Sequence, residues 1–195
     1  DTFNNILNNS LPKLETLDST TNNKTGTAPT YPRDCGRTFQ EWATFTEEVD
    51  EFCNSSIITN CLSSNLGKKF TFDEGGCRNE MDVHHRILNN YGLPLKALLK
   101  DLGISSDFER PGGDNQVLFD PDIAWKIKDN ENSALGLVIE VKPWWSFDIV
   151  DNVVERYKQD TEQSNSPDSK LVKALQQIYG YMSYNYMRYG ILTTY

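Results

Sequence analysis

The run Leu135-Gly136-Leu137-Val138-Ile139-Glu140-Val141-Lys142-Pro143 constrains the fold more than any other part of the chain. Its apolar and β-branched residues read as a central strand, and Pro143, which cannot donate to a ladder, marks where the strand ends. Side chains alternate along a strand, so Glu140 and Lys142 project from one face while Ile139 and Val141 project from the other. A carboxylate or an ammonium buried without a partner is costly, so a strand this apolar carries such groups only where a partner or a metal receives them. For an isolated E-x-K triplet, a salt bridge at a strand end would be sufficient explanation.

Asp122 adds a second carboxylate. It follows Pro121 at the start of the preceding strand-like stretch, "QVLFDPDIAWKI", and stands 18 positions before Glu140, with the turn-rich "KDNENS" between. Hairpin-like pairing of the two strands brings Asp122 beside Glu140 and Lys142. Asp120 lies two positions away on the same strand face and is a rival; the Pro-Asp pair and the strand spacing favour Asp122. Two carboxylates, with a backbone carbonyl such as that of Val141, form the hard oxygen set that Mg²⁺ prefers.

The rest of the chain sets bounds on this reading. Its 195 residues suit one domain, and its 37% hydrophobic and 24% charged residues are those of an ordinary water-soluble chain. No apolar run approaches the roughly 20 residues of a membrane helix. A net charge of -9 argues against a protein that coats polyanions non-specifically, but it leaves an enzyme acting on nucleic acid open, since acidic metal ligands contribute to the total. Cys35, Cys53, Cys61 and Cys77 read as free thiols, and their spacings match no paired zinc-ligand pattern.

Residues 1–37, rich in Asn, Thr and Ser, read as a flexible or extended arm. A helix is expected from about Thr38 to Asn54, capped by Thr38 with Glu41, its Trp42, Phe45, Val49 and Phe52 stripe buried as core. Residues 38–75 thus form a helical extension packed on a core of residues 76–195. Within that core "KKFTFDEGG" reads as a short strand or turn, "RNEMDVHHRILNNYG" as a helix stopping at Gly92, and "LPLKALLKDLG" as further helix ending at Gly103. "SSDFERPGGDN" concentrates turn residues. "KALQQIYGYMSYNYMRYG" is a helix, and "YGILTTY" a strand that stops abruptly, so the natural chain is expected to continue beyond Tyr195. Glu80 sits in a first helical turn, where the macrodipole alone would favour it. His84 and His85 titrate near neutral pH, yet without a partner visible in the sequence they read as packing or exposed groups. The tyrosines of the last helix read as packing groups with a wet tip. Of Trp144 and Trp145, one is expected to cover the core and the other to border a substrate groove.

The arrangement Pro121-Asp122 followed by Glu140-Val141-Lys142 resembles the signature of the PD-(D/E)XK, or restriction endonuclease-like, nuclease superfamily. Two further pieces match it: Glu80 on a preceding helix, and Gln177 with Tyr181 four positions on, the Gln-x-x-x-Tyr of one large branch. The resemblance covers about Gly76 to Tyr195, and "IEVKPWW" and "YMRYGILTTY" are similar to nuclease-like domains of fungal proteins, some of them Crinkler-type effectors. It implies an α/β fold with a central mixed sheet flanked by helices and an α-β-β-β-α-β order. It further implies Mg²⁺-dependent hydrolysis of phosphodiester bonds with Mn²⁺ as substitute, DNA favoured over RNA. In its terms Glu80, Asp122, Glu140 and Val141 hold the metal, Lys142 orients or activates water, Gln177 holds Lys142 or a substrate phosphate, and Tyr181 lines the substrate side. An intracellular site of action follows, in the nucleus or inside a host cell. The alternative is a catalytically retired module of the same fold that binds nucleic acid or a protein partner.

Overall fold

The structure, a computed structural model, describes residues 40–64, 72–112, 117–129, 132–147, 152–162 and 169–194. Helices α1 (Phe45–Cys53) and α2 (Ser56–Ser64) precede α3 (Glu80–Ile87), which runs through a π-helical turn at Leu88–Gly92 into α4 (Leu93–Asp101). Strands β1 (Ser106–Glu109), β2 (Ile123–Asp129) and β3 (Asn132–Val141) follow, then α5 (Val153–Glu162), α6 (Lys170–Tyr184) and β4 (Gly190–Thr193). The four strands form one mixed sheet in the order β1-β2-β3-β4. The first three are an antiparallel meander, and β4 returns parallel to β3 after the α5–α6 crossover.

The expected α/β class with a helix-flanked mixed sheet is therefore observed. One sheet face, carrying Ile123, Ile139 and Val141, packs against Cys77, Val83 and Ile87. The other places Val138 against Ile178 and Tyr181 of α6. Strand alternation thus sends Val138 and Glu140 toward α6 while their neighbours fill the α3 side.

Several local expectations change. Residues 106–109, read as turn, are strand β1, because Phe108 stacks on Trp125 at 6.1 Å and the backbone pairs with β2; pairing overrides a turn-rich composition. Gly92 does not stop a helix. Pro94, which has no N–H to give to the carbonyl four residues back, coincides with the π turn, and the buried Gly92 lies where a Cβ would come within 3.2 Å of Phe108. The helix instead ends at Asp101 in a Schellman motif: Ile104 N–H donates to Leu99 O at 2.8 Å, Gly103 N–H to Lys100 O at 3.0 Å, and Gly103 has φ of 80°. The helix expected from Thr38 begins only at Phe45, and Thr38 lies outside the described residues. Its aromatic stripe is not core: Trp42 is 49% and Phe52 61% exposed, and Trp42 stacks on Tyr189 at the entry to β4. Of "KKFTFDEGG", expected as a short strand or turn, residues 68–71 lie outside the described residues, and residues 72–76 are in neither helix nor strand. Helix α5 had no counterpart in the sequence reading.

Between α3–α4 and the sheet lies an apolar groove of about 380 Å³, lined by Tyr91, Leu95, Phe108, Trp125, Leu137 and Ile191 among others. No helix among the described residues is long and apolar enough to cross a membrane.

Candidate functional site

Strand β3 brings Glu140 to the α6-facing side of the sheet, 1% exposed. The ladder pairs Ile123 with Ile139, so one step further along this register Asp122 faces Glu140. Asp122 precedes the strand rather than lying in it, and its Oδ2 accepts a hydrogen bond from Val141 N–H at 2.8 Å. Val141 thus joins the site through its backbone, while its side chain fills the opposite core. Lys142 Nζ donates to Glu140 Oε1, and Lys142 N–H donates to Thr193 O at 2.8 Å, holding the end of β3 against β4.

Helix α3 delivers Glu80 and His84. Asn79 caps its start, its side chain accepting from Asp82 N–H at 3.0 Å while Asp82 Oδ2 accepts from Arg78 N–H at 2.7 Å, a reciprocal cap that fixes the first turn. Spacing of four puts Glu80 and His84 on one face. His84 Nε2 lies 3.5 Å from Asp122 Oδ1 and 4.0 Å from Glu80 Oε1. One ligand atom from each of Glu80, His84 and Asp122 can be chosen such that all three lie within 4.8 Å of one another.

The electrostatics are those of too many carboxylates for one lysine. Burial, then the charge of Asp122, pushes the Glu140 carboxyl well above the carboxylate range, to about 8. Burial raises Asp122 as well, against the Val141 hydrogen bond and the Lys142 charge. Burial works against the Lys142 ammonium, but Glu140, Asp122 and Glu80 together hold its pKa above its ordinary value. His84, 3% exposed, is pushed down to about 4 mainly by burial, which leaves a neutral ring at pH 7. Among the described residues neither of its nitrogens has a hydrogen-bond partner of good geometry, nor does Glu140 Oε2. The contacts of a neutral imidazole with the two carboxylates are therefore not an ion pair.

Gln177 approaches from α6, and its Nε2 donates to the Tyr181 hydroxyl at 2.9 Å. Tyr181 is buried, and burial raises its pKa to about 12, with Glu140, Asp122 and Asp120 adding to the rise; its hydroxyl thus senses the carboxylates. Gln177 reaches the site through Tyr181. Asp120 is exposed, whereas Asp122 is half-buried and engaged. The segment before Asp122 is held from the C-terminal cap of α6, where Asn185 accepts from Leu118 N–H at 2.7 Å and donates to Leu118 O at 2.9 Å. Phe119 there adopts φ of 68°, a left-handed conformation unusual for an aromatic residue, and its ring packs edge-on to Tyr184.

His84, read as a packing or exposed group, is buried and is also the neighbour of Asp122; the signal available for that neighbour was its spacing of four from Glu80. His85 is exposed. Trp144 and Trp145 pack edge-on at 4.6 Å, and both lie against the Ile139–Val141 core on the sheet face opposite Glu140, so neither borders the carboxylates.

Comparison of the chain with protein-family models, with curated proteins and with solved structures finds no match.

Proposed function

We propose that this chain is a metal-dependent nuclease with a restriction endonuclease-like core, hydrolysing phosphodiester bonds. The observation that carries the reading is the meeting of Glu80, His84 and Asp122 with the buried Glu140–Lys142 pair at the end of β3. The element order supports it: a helix, an antiparallel three-stranded meander, a helical crossover and a parallel fourth strand match the α-β-β-β-α-β expectation. DNA is preferred as substrate on the resemblance alone.

The donor set fits a divalent cation. Glu140 Oε2 and the His84 nitrogens are buried polar atoms without hydrogen-bond partners among the described residues, and bound metal is one of the few neighbours that would satisfy both kinds. Glu80, Asp122 and Glu140, with the Val141 carbonyl, would hold Mg²⁺; the His84 imidazole adds a ligand better suited to Mn²⁺. Such a cation supplies charge neutralisation at the phosphate and acidifies a water. The chain's own groups do the positioning. Val141 N–H fixes the Asp122 carboxylate, Glu140 fixes the Lys142 ammonium, and Lys142 offers positive charge where negative charge develops on the phosphate. Gln177 orients the Tyr181 hydroxyl on the α6 wall.

The test is parallel assay of wild type, Lys142→Ala and Asp122→Ala on circular, linear and single-stranded DNA and on RNA, with Mg²⁺ or Mn²⁺ at fixed salt. Wild type should cleave, Lys142→Ala should lose roughly 10²-fold or more in turnover with little change in binding, and Asp122→Ala should lose cleavage and metal binding together. Cleavage undiminished in both variants would mean a contaminating activity and end the proposal. Tight binding with no cleavage by any form would replace it with a retired nuclease module.

A further inference from the structure

A phosphodiester entering the site meets fixed charges that are mostly negative, Glu80, Asp122 and Glu140 against Lys142. Lys142 is largely buried and held by Glu140, so it faces the phosphate that reacts and leaves the neighbouring phosphates of a strand without a cation.

Arg110 is a second cation whose charge bears on Asp122. It directly follows Glu109, the last residue of β1, whose ladder partner is Ala124, so it stands at the end of the sheet from which Asp122 leads into β2. The buried Pro111 comes next and keeps the Arg110 backbone extended, in line with β1. Its side chain reaches α3, where Nη1 donates to Met81 Sδ at 2.6 Å, next to Glu80. Its charge is felt at His84 as well as at Asp122, favouring the neutral ring and the ionised carboxylate. The guanidinium and the candidate metal ligands thus share one electrostatic neighbourhood.

The company Arg110 keeps is unusual for this fold. Arg86, Lys96, Lys126 and Lys128 each lie against a carboxylate. Arg110 meets no carboxylate at ion-pair distance among the described residues and rests on a thioether, a weak and uncharged acceptor. A cation placed only to relieve repulsion among the carboxylates would lie against one of them, as Lys142 lies against Glu140. Arg110 and Met81 are both exposed, which leaves the rest of the guanidinium fork open to solvent beside Glu80. That fork matches the geometry of a phosphate.

We propose that Arg110 is a phosphate-binding residue at the rim of this site, receiving a substrate phosphate adjacent to the one that reacts. Phosphate as the ligand rests on the nuclease reading above; the placement of the guanidinium does not.

The test is binding of a short DNA duplex to the full chain in Ca²⁺ over a series of salt concentrations, for wild type, Arg110→Ala, Arg110→Lys and Lys100→Ala. Lys100 is an exposed cation in the last turn of α4 and controls for the change in net charge. Arg110→Ala should weaken binding by about fivefold, the upper range for one exposed ion pair, and lower the magnitude of the salt slope by about 0.9, the release expected for one phosphate. Arg110→Lys should keep the slope, and Lys100→Ala should change neither quantity. Ca²⁺ affinity of Arg110→Ala should be equal or tighter, because the charge removed repels a cation. In Mg²⁺, KM should rise with kcat within about twofold.

An unchanged slope in Arg110→Ala overturns the proposal, as does an equal loss in Lys100→Ala, which would reduce the effect to net charge. Weaker Ca²⁺ binding by Arg110→Ala would make the residue a support of the metal site, and a fall in kcat of about 10² or more would move it onto the reacting phosphate; both overturn it. So does a wild type that fails to bind the duplex. If no form cleaves with Mg²⁺ or Mn²⁺ while the slopes change as stated, the nuclease reading falls and the phosphate-binding role of Arg110 stands.

Discussion

Glu140 stands where packing alone would place valine or leucine, between Val138 on its own face and the buried ends of β2 and α6. Its raised pKa has a thermodynamic consequence that metal-free protein should show. The folded carboxyl holds its proton up to about 8, whereas the unfolded one releases it near 4.5. Between those values the native state binds more protons than the unfolded state, so stability is fully present below 4.5 and falls as pH rises through the window. A group titrating alone contributes about 1.4 kcal/mol per unit, and coupling to Asp122 spreads the change over the pair. Urea unfolding in chelator from pH 5 to 8 should show wild type losing stability relative to Glu140→Gln, whose amide mimics the protonated acid. Parallel curves for the two proteins would mean that Glu140 is ionised and compensated in the metal-free fold. The identity of Glu140 was legible because strand alternation and burial speak directly through residue type. His84 was not, since the neighbour that gives it meaning, Asp122, comes from another element 38 positions on.

At the scale of elements, strong periodic signals were readable and weak edges were not. Strand β3, helix α6 and β4 stand close to where apolar pattern and turn chemistry put them. Strand β1 was hidden because four residues, two of them acidic, become a strand only by pairing with β2. Helix α1 misled in the opposite direction: its apolar spacing is helical, but a helix at the margin exposes the stripe that a central helix would bury. Two connections set the site's precision. The first is the bulge at Gly136, an extra residue between the Trp125–Leu137 and Lys126–Leu135 pairs, where a Cβ would meet the Trp125 ring at 2.8 Å. Gly136→Val should cost about 1–3 kcal/mol by overpacking, read from the urea midpoint, and a neutral result would show that the ring yields freely. The second is Asn185, whose amide clasps both polar groups of Leu118 and so anchors the turn that leads into Asp122. Asn185→Ala should cost about 1–3 kcal/mol and lower turnover beyond the loss in folded fraction at the assay temperature. Turnover that merely tracks folded fraction would reduce Asn185 to a structural clasp with no hold on the site.

For the whole molecule the governing number is the net charge of -9, which the proposed nuclease activity would have to overcome to approach a polyanion. Of the 13 lysines and arginines among the described residues, six are committed to carboxylates. Lys96 and Lys128 pair with Asp107, Lys126 with Glu109, Arg86 with Asp73, Arg156 with Asp160 and Lys142 with Glu140. That commitment and the net charge together limit the release of counterions from DNA, and the salt slope of log K is about -0.9 per phosphate neutralised. Binding of a short duplex without divalent cation should therefore be weak and shallow in salt, with a slope of magnitude about 3 or less. On the proposed reading, loading the site would change the local field where it matters, since a divalent cation would offset the charge of Asp122, Glu140 and Glu80 at the point of contact. Affinity for the same duplex, measured in Ca²⁺ by fluorescence anisotropy, should rise by about tenfold or more, and Asp122→Ala should abolish that rise while keeping the metal-free affinity. Metal should also raise the melting temperature of wild type but not of Asp122→Ala, by an amount corresponding to about 2.7 kcal/mol at a hundredfold excess over its dissociation constant. A steep metal-free slope, near the values of proteins that contact six or more phosphates, would place DNA on a basic surface away from the carboxylates and remove the reason for treating β3 as the place where substrate and metal meet.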